Sequence, residues 1–299
     1  MFVEPMYAQP IPNLIKKPKA KPFILESGRY VAEEKFDGIR LITEISNQSD
    51  RLFVEKGVTS WSRYGNLKPL PEHIMEKAAE LPNCIIDGEL LAPGKRSYGT
   101  MDLENTPDLV YHVFDILQYE GVDLTPATYE SRRMALRVLI TDSQYFRFAP
   151  SFPVNTWEEI YALRDEVWAR DGEGLILKRI DAPYTIGKRP KNTWIKIKKL
   201  ESSLFTIIGF APSRGLINDR GPYGMTLLRD EEGIETSVKT ITDAQCREFE
   251  KEGMGEGAHR ATGQPGPWVH PSVGRKLWCE WQERTPDNEY RHLRWDHWD

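Results

Sequence analysis

Runs in which apolar and polar positions alternate recur along the chain from Tyr30 onward. They include residues 40–45 (RLITEI), 84–92 (CIIDGELLA), 108–117 (DLVYHVFDIL), 174–178 (GLILK) and 194–198 (WIKIK). Their β-branched and aromatic content predicts strands. Helical spacing appears between them. Leu70, Ile74 and Ala78 form one apolar stripe, and residues 129–139 predict a second helix. Thr156-Trp157-Glu158-Glu159 has the form of a capping box, with Ile160, Leu163 and Val167 following on one face. Strands and helices mixed without strict βαβ alternation predict an α+β fold.

The texture changes after Lys199. Residues 204–211, 225–230, 234–240 and 276–284 read as short strands separated by Gly/Pro turns, and Thr242 with Gln245 could cap one intervening helix. That pattern suits a small β-barrel of the OB-fold type. The expected organisation is therefore a first domain over 1–200 and a barrel domain over 201–299, joined at Lys199–Ser203. Residues 5–22, rich in Pro and Lys, predict an extended arm.

A chain of 299 residues is long enough for two cores. Its 39% hydrophobic and 28% charged residues describe a soluble globular protein. No apolar run reaches the roughly 20 residues that span a bilayer. The N-terminus lacks a basic segment followed by an apolar stretch, so a cytoplasmic location is expected. The three cysteines are widely spaced, which fits a reducing compartment and not a zinc site. A net charge of −5 argues against a wholly basic nucleic-acid binder, yet residues 188–199 carry six basic side chains and no acid. Trp194, Ile195 and Ile197 interleave them, so this is not a solvated tail.

The candidate chemistry centres on Glu33-Glu34-Lys35-Phe36-Asp37-Gly38-Ile39-Arg40. A lysine between an apolar strand and a glycine turn can act as a nucleophile once it loses its proton. Further polar clusters follow in order: Ser62-Arg63 with Gly65, Asp87-Gly88-Glu89, Phe114-Asp115, Glu173-Gly174 with Lys178, and Trp194-Ile195-Lys196-Ile197-Lys198. Strand period places Lys196 and Lys198 on one face of the last segment and the two isoleucines on the other.

These segments resemble, in the same order, the motifs of the covalent nucleotidyltransferases, and most closely a compact ATP-dependent DNA ligase. The resemblance spans residues 30–299. It implies a nucleotidyltransferase domain followed by an OB-fold domain, ATP as cofactor with Mg²⁺ or Mn²⁺, nicked duplex DNA as partner, no membrane, and a monomer. NAD as the cofactor is disfavoured, because no nicotinamide-recognising domain or cysteine zinc finger is expected. By the same resemblance Lys35 carries the adenylate. Glu33, Arg40, Arg63, Glu89, Phe114, Lys196 and Lys198 bind the nucleotide, with Glu89 on the ribose, Phe114 on the base and Arg63 on phosphate. Glu173, together with Glu89, would hold the metal. Asp37 would lie near the metal or the nick. The closing strand usually ends R-x-D-K; here it reads Arg294-Trp295-Asp296-His297, so Arg294 and Asp296 keep the pattern and His297 departs from it. An RNA ligase or capping-type guanylyltransferase, or a non-catalytic nick-binding or single-strand-binding protein, are the alternative readings.

Overall fold

The computed structural model describes residues 2–11, 25–26, 28–46, 57–92, 108–199, 201–211, 225–239, 249, 251, 270–281, 283–284, 289–291 and 293–299. The chain divides into two compact units, Met1–Lys198 and Lys199–Asp299.

The first unit is built on two mainly antiparallel sheets. One contains β1 (Gln9–Pro10), β2 (Tyr30–Glu34), β9 (Ser151–Val154), β10 (Gly174–Arg179) and β11 (Trp194–Lys198), in the order β1-β11-β10-β2-β9. The other contains β3 (Ile39–Ser46), β4 (Gly57–Ser62), β5 (Cys84–Leu91), β6 (Val110–Tyr119) and β7 (Val122–Asp123), in the order β4-β3-β5-β6-β7, with β8 (Phe146–Phe148) parallel to β6. Side-chain alternation sorts each strand between two cores. In β10 and β11, Leu175, Leu177, Ile195 and Ile197 pack with Ile160 and Val167 of helix α3 (Trp157–Ala169). The opposite faces of the two sheets meet around Met6, Ile42, Ile85, Phe114, Tyr184 and Trp194. Beyond the second sheet, Leu41, Ile86, Leu90 and Tyr111 pack with Ile74 and Ala78 of α1 (Glu72–Ala79) and Leu136 of α2 (Tyr129–Leu139).

The three helices expected in this unit are present. α2 has the predicted bounds, with Thr128 accepting from the Ser131 N–H at 3.2 Å. The capping box at Thr156 forms in both directions. Strand β4 was not predicted: Gly57–Ser62 (GVTSWS) has few apolar residues, and its place comes from backbone pairing with Leu41–Ser46 of β3. The described part of the N-terminal arm is not a loose tail. Met6 is fully buried between the sheets, and Gln9–Pro10 pair in parallel with Ile195 and Lys196.

The second unit contains β12 (Glu201–Ala211), β13 (Met225–Asp230), β14 (Glu235–Lys239), β15 (Lys276–Trp281) and β18 (Arg294–Trp298), in the antiparallel order β14-β13-β12-β15-β18. Two short strands, β16 (Glu283–Arg284) and β17 (Tyr290–Arg291), pair with each other. Phe205, Ile207, Leu228, Leu277, Cys279 and Trp295 form the core. β12 begins at Glu201, so most of the expected connecting segment is strand. Its register shifts between Ile207 and Gly209; such a bulge bends the strand. Among the described residues the pairings form an open path rather than a closed barrel. The helix expected at Thr242–Gln245 lies outside the described residues.

One buried ion pair locks α2 to the second sheet. Arg132 donates to both Asp115 oxygens, at 2.8 and 3.0 Å, and to the Ala127 carbonyl at 2.7 Å. Both side chains are fully buried. Arg132→Met strands the Asp115 charge in the interior, and removing one partner of a buried pair costs about 3–5 kcal/mol. Urea denaturation should show that loss as an earlier midpoint at unchanged slope; an unmoved midpoint contradicts the role given to this pair.

Candidate active site

Lys35 leaves the end of β2, and its backbone N–H donates to the Gly174 carbonyl at 2.8 Å. The register of the first sheet places Glu34 opposite Leu175 and Lys198 opposite Gly174, which brings three chain segments to one sheet end. There the Lys35 and Lys198 ammonium groups donate to the two oxygens of Glu173. Gly174 permits this closeness: its φ is +146°, and an added Cβ would lie 2.0 Å from the Ile197 carbonyl oxygen.

The electrostatics of the cluster follow from burial and charge. Burial opposes the Glu173 carboxylate, but the two lysines outweigh it and hold the acid below its usual range. Burial also lowers the proton affinity of Lys198, and Lys35 adds to that, while Glu173 and Asp37 work against it. Lys196, on the same face, is pushed down to about 8 by burial and by Lys198, Lys35 and Arg189.

The turn after Lys35 folds onto the second sheet. Gly38 N–H donates to Glu89 Oε1 at 3.2 Å. A Cβ at Gly38 would meet the Leu90 carbonyl oxygen at 2.1 Å, so only glycine fits. Glu89 is pushed up to about 7 by burial, against the pull of Lys35 and Arg40. Phe36 packs against His112, with ring centroids 4.3 Å apart.

Beneath this lies a floor of paired charges. Arg40 donates to both oxygens of Asp87, at 2.9 and 2.5 Å, and to the Met6 carbonyl at 2.8 Å. Its guanidinium also lies over the rings of Phe114 and Trp194, at 5.5 and 5.4 Å. Glu33 is buried against Lys178 at 2.7 Å and accepts from Arg133 at 3.2 Å and from the Tyr129 hydroxyl. Lys178 lies 4.4 Å from the Phe114 ring centre.

The expected site residues thus fall into separate groups. Lys35, Glu173 and Lys198 touch, Lys196 shares their face, and Glu89 and Asp37 interact with them electrostatically. Arg40, Glu33 and Phe114 belong to the floor between the sheets. Arg63 is exposed in the turn after β4, its guanidinium 4.6 Å from the centre of the exposed Tyr64 ring. Arg294, Asp296 and His297 lie on β18 in the second unit, where His297 bonds Asp296 at 2.8 Å and its ring stacks on Trp278. Asp87, Tyr184 and His112 were not singled out from sequence. Asp87 stood inside a quoted motif; Tyr184 and His112 carry no local signal. A separate open hollow of about 400 Å³ beside Arg137 and Phe148 contains neither Lys35 nor Glu173.

The first unit thus joins two sheets with a lysine–glutamate–lysine cluster at one sheet end. Residues 5–198 match the family model for the ATP dependent DNA ligase domain, and the chain belongs to that family. It is 32% identical over 289 residues to a DNA ligase of Methanothrix thermoacetophila, covering 88% of this chain and 50% of the relative. It is 27% identical over 233 residues to a probable DNA ligase of Dictyoglomus thermophilum, covering 70% and 38%. The chain therefore spans half or less of the length of these curated relatives. Among solved structures, a chain from "DNA binding with a minimal scaffold: Structure-function analysis of Lig E DNA ligases" matches with a TM-score of 0.71 at 17% identity, covering 100% of both chains. The ligase domain of M. tuberculosis LigD matches at 0.52 and 20% identity, covering 99% and 95%. These two likenesses show the fold.

The depressed Lys196 predicts a pH dependence. Its ammonium is lost as pH rises through about 8, whereas an unperturbed lysine keeps its charge to about 10. If that charge grips phosphate, ATP binding should weaken up to about tenfold between pH 7 and pH 9. Lys196→Arg should flatten the profile, because a guanidinium stays charged. Fluorescence titration at the two pH values checks both; equal slopes in the two proteins would remove Lys196 from the phosphate site.

Proposed function

We propose that this chain is an ATP-dependent DNA ligase that seals nicks in duplex DNA. The observation that carries the reading is the contact of Lys35 and Lys198 with one buried carboxylate, Glu173, in a family of ATP-dependent DNA ligase domains. The first unit is the nucleotidyltransferase domain. The bent five-stranded sheet of the second is the OB-fold domain.

The Lys35 amine attacks the α-phosphorus of ATP. The bond to the β-phosphate breaks, pyrophosphate leaves, and Lys35 carries AMP. The nick's 5′-phosphate then takes the AMP, and the 3′-hydroxyl displaces it to form the phosphodiester. Lys35 must give up a proton before its amine can attack. Lys196 and Lys198 lie where charge gathers on phosphate oxygens, and fixed cations in a half-buried site stabilise that charge strongly. Arg40 has a different part. Three of its donors are committed to Asp87 and Met6, so it stiffens the pocket floor and supports Phe114, whose ring faces the adenine.

The donor set fits a hard divalent cation. Glu173 and Glu89 are carboxylates close enough to interact, and Mg²⁺ commonly takes one or two carboxylates, with substrate phosphate and water completing its shell. Among the described residues no group of three or more acidic, histidine or cysteine side chains forms a self-sufficient metal cage. Glu173 and Glu89 would hold the ion, which would supply charge neutralisation at phosphate. No described helix is long and apolar enough to cross a membrane.

Incubation with α-labelled ATP and Mg²⁺ should label the chain covalently, and Lys35→Ala should take up no label. A labelled mutant would overturn the assignment of the nucleophile. Gel assays with nicked DNA, nicked RNA and labelled GTP separate the alternatives: only nicked DNA with ATP should give product. Binding to nicked duplex should weaken at least about tenfold between 50 and 200 mM salt, since contacts to phosphate release counterions. Affinity that ignores salt would count against a phosphate-gripping surface.

A further inference from the structure

His112 stands directly opposite Glu89 in the β5–β6 ladder. The next pair, Leu90 and Tyr111, points into the outer core. Alternation therefore turns Glu89 and His112 together to the opposite face, on the side of Lys35. Two contacts agree with this: Glu89 feels the Lys35 charge, and the His112 ring packs against Phe36, the residue after Lys35. Side chains directly opposite in such a ladder have Cβ atoms about 5 Å apart.

The imidazole is unusual in its surroundings. Nδ1 is buried and has no hydrogen-bond partner among the described residues. Burial and Arg147 push its pKa down to about 4, so the ring is neutral at physiological pH. A neutral imidazole carries one proton. An orphaned buried N–H is rarer in proteins than an orphaned acceptor, which assigns the proton to Nε2 and leaves Nδ1 a bare lone pair. Stacking with Phe36 explains why a ring sits here; it does not require a polar ring in so dry a place.

We propose that His112 is a specificity-determining residue for the nucleotide: its Nε2–H donates to the ribose hydroxyl whose own proton Glu89 accepts. The two partners are complementary, because a hydroxyl has one proton to give and lone pairs to fill. The assignment rests on the nucleotidyl-transfer reading above and extends it to recognition of the sugar. It makes the pocket distinguish a ribonucleotide from a deoxyribonucleotide. Loss of the hydroxyl leaves both side chains unsatisfied in a half-buried site, which is how such sites reject analogues.

Single-turnover formation of the covalent adduct from ATP, 2′-deoxy-ATP and 3′-deoxy-ATP tests this. The wild-type chain should use ATP over one of the two analogues by roughly tenfold or more in kcat/KM. His112→Phe keeps a ring against Phe36 and should bring that ratio to within about twofold, by losing ATP use while analogue use stays level. His112→Gln keeps a donor and should retain much of the ratio. Equal use of all three nucleotides by the wild-type chain overturns the assignment, whatever the variants do. So does an unchanged ratio in His112→Phe, or a uniform loss on all three nucleotides, which marks packing alone. A wild-type chain labelled by none of them overturns the nucleotidyl-transfer reading itself, and this assignment with it.

Discussion

The grip of two lysines on one buried carboxylate organises the site. Glu173 follows the tight turn after α3 and precedes β10, Lys198 ends β11, and Lys35 leaves β2. The carboxylate therefore ties three strands at one end of a sheet. A buried anion is tolerable only when paired, and here two cations pay its desolvation. The cluster keeps a surplus positive charge, to which Lys196 adds. An anionic group arriving there completes the charge balance and does not disturb a neutral arrangement. The fold thus holds Lys35, the proposed nucleophile, in place through the carboxylate it touches.

Beneath it the charges are matched. Asp87 with Arg40, Glu33 with Lys178 and Asp115 with Arg132 are buried pairs, and aromatic rings lie against their cations. Breaking any of them would strand a charge in the interior, so they resist rearrangement. The site is therefore a rigid, charge-neutral floor under a cationic sheet end. This division reconciles an acidic chain with the polyanionic substrate proposed for it. Net charge sums over the whole molecule, whereas a ligand meets the local field, and several of the acids near this site are already neutralised by partners.

Much of this was legible in the sequence because it is local. The α2 bounds, the Thr156 capping box and the two-faced WIKIK strand follow from periodicity and capping chemistry within a few residues. The glycines at 38 and 174 were visible, though the carbonyl oxygens that exclude a Cβ were not. What escaped depends on distant partners. Met6 is held between the sheets by partners far along the chain: its backbone N–H donates to the hydroxyl of Tyr184, 178 residues away, and its carbonyl accepts from Arg40. A lone methionine in a Pro-rich arm carries no periodic signal. Arg40 is a second case: the motif shows an arginine near a lysine, and only the β3–β5 register shows Asp87 within reach of it.

The two pocket carboxylates illustrate how one fold separates chemically identical groups. Glu173 lies between two ammonium groups and is driven below the usual acid range; at Glu89 burial outweighs the pull of Lys35 and Arg40 and pushes it up to about 7. Environments that push like groups apart assign them different work. Glu173 stays charged across the physiological range and serves as a fixed anchor. Glu89 sits near its titration point in the free chain, so a hydroxyl or cation that favours its charged form is bound with proton release near neutral pH. Under the proposed ribose contact, sugar binding and the charge state of Glu89 are one equilibrium. Whatever fixes the sugar beside Glu89, including a neutral donor on the facing strand, also sets when that carboxylate becomes negative.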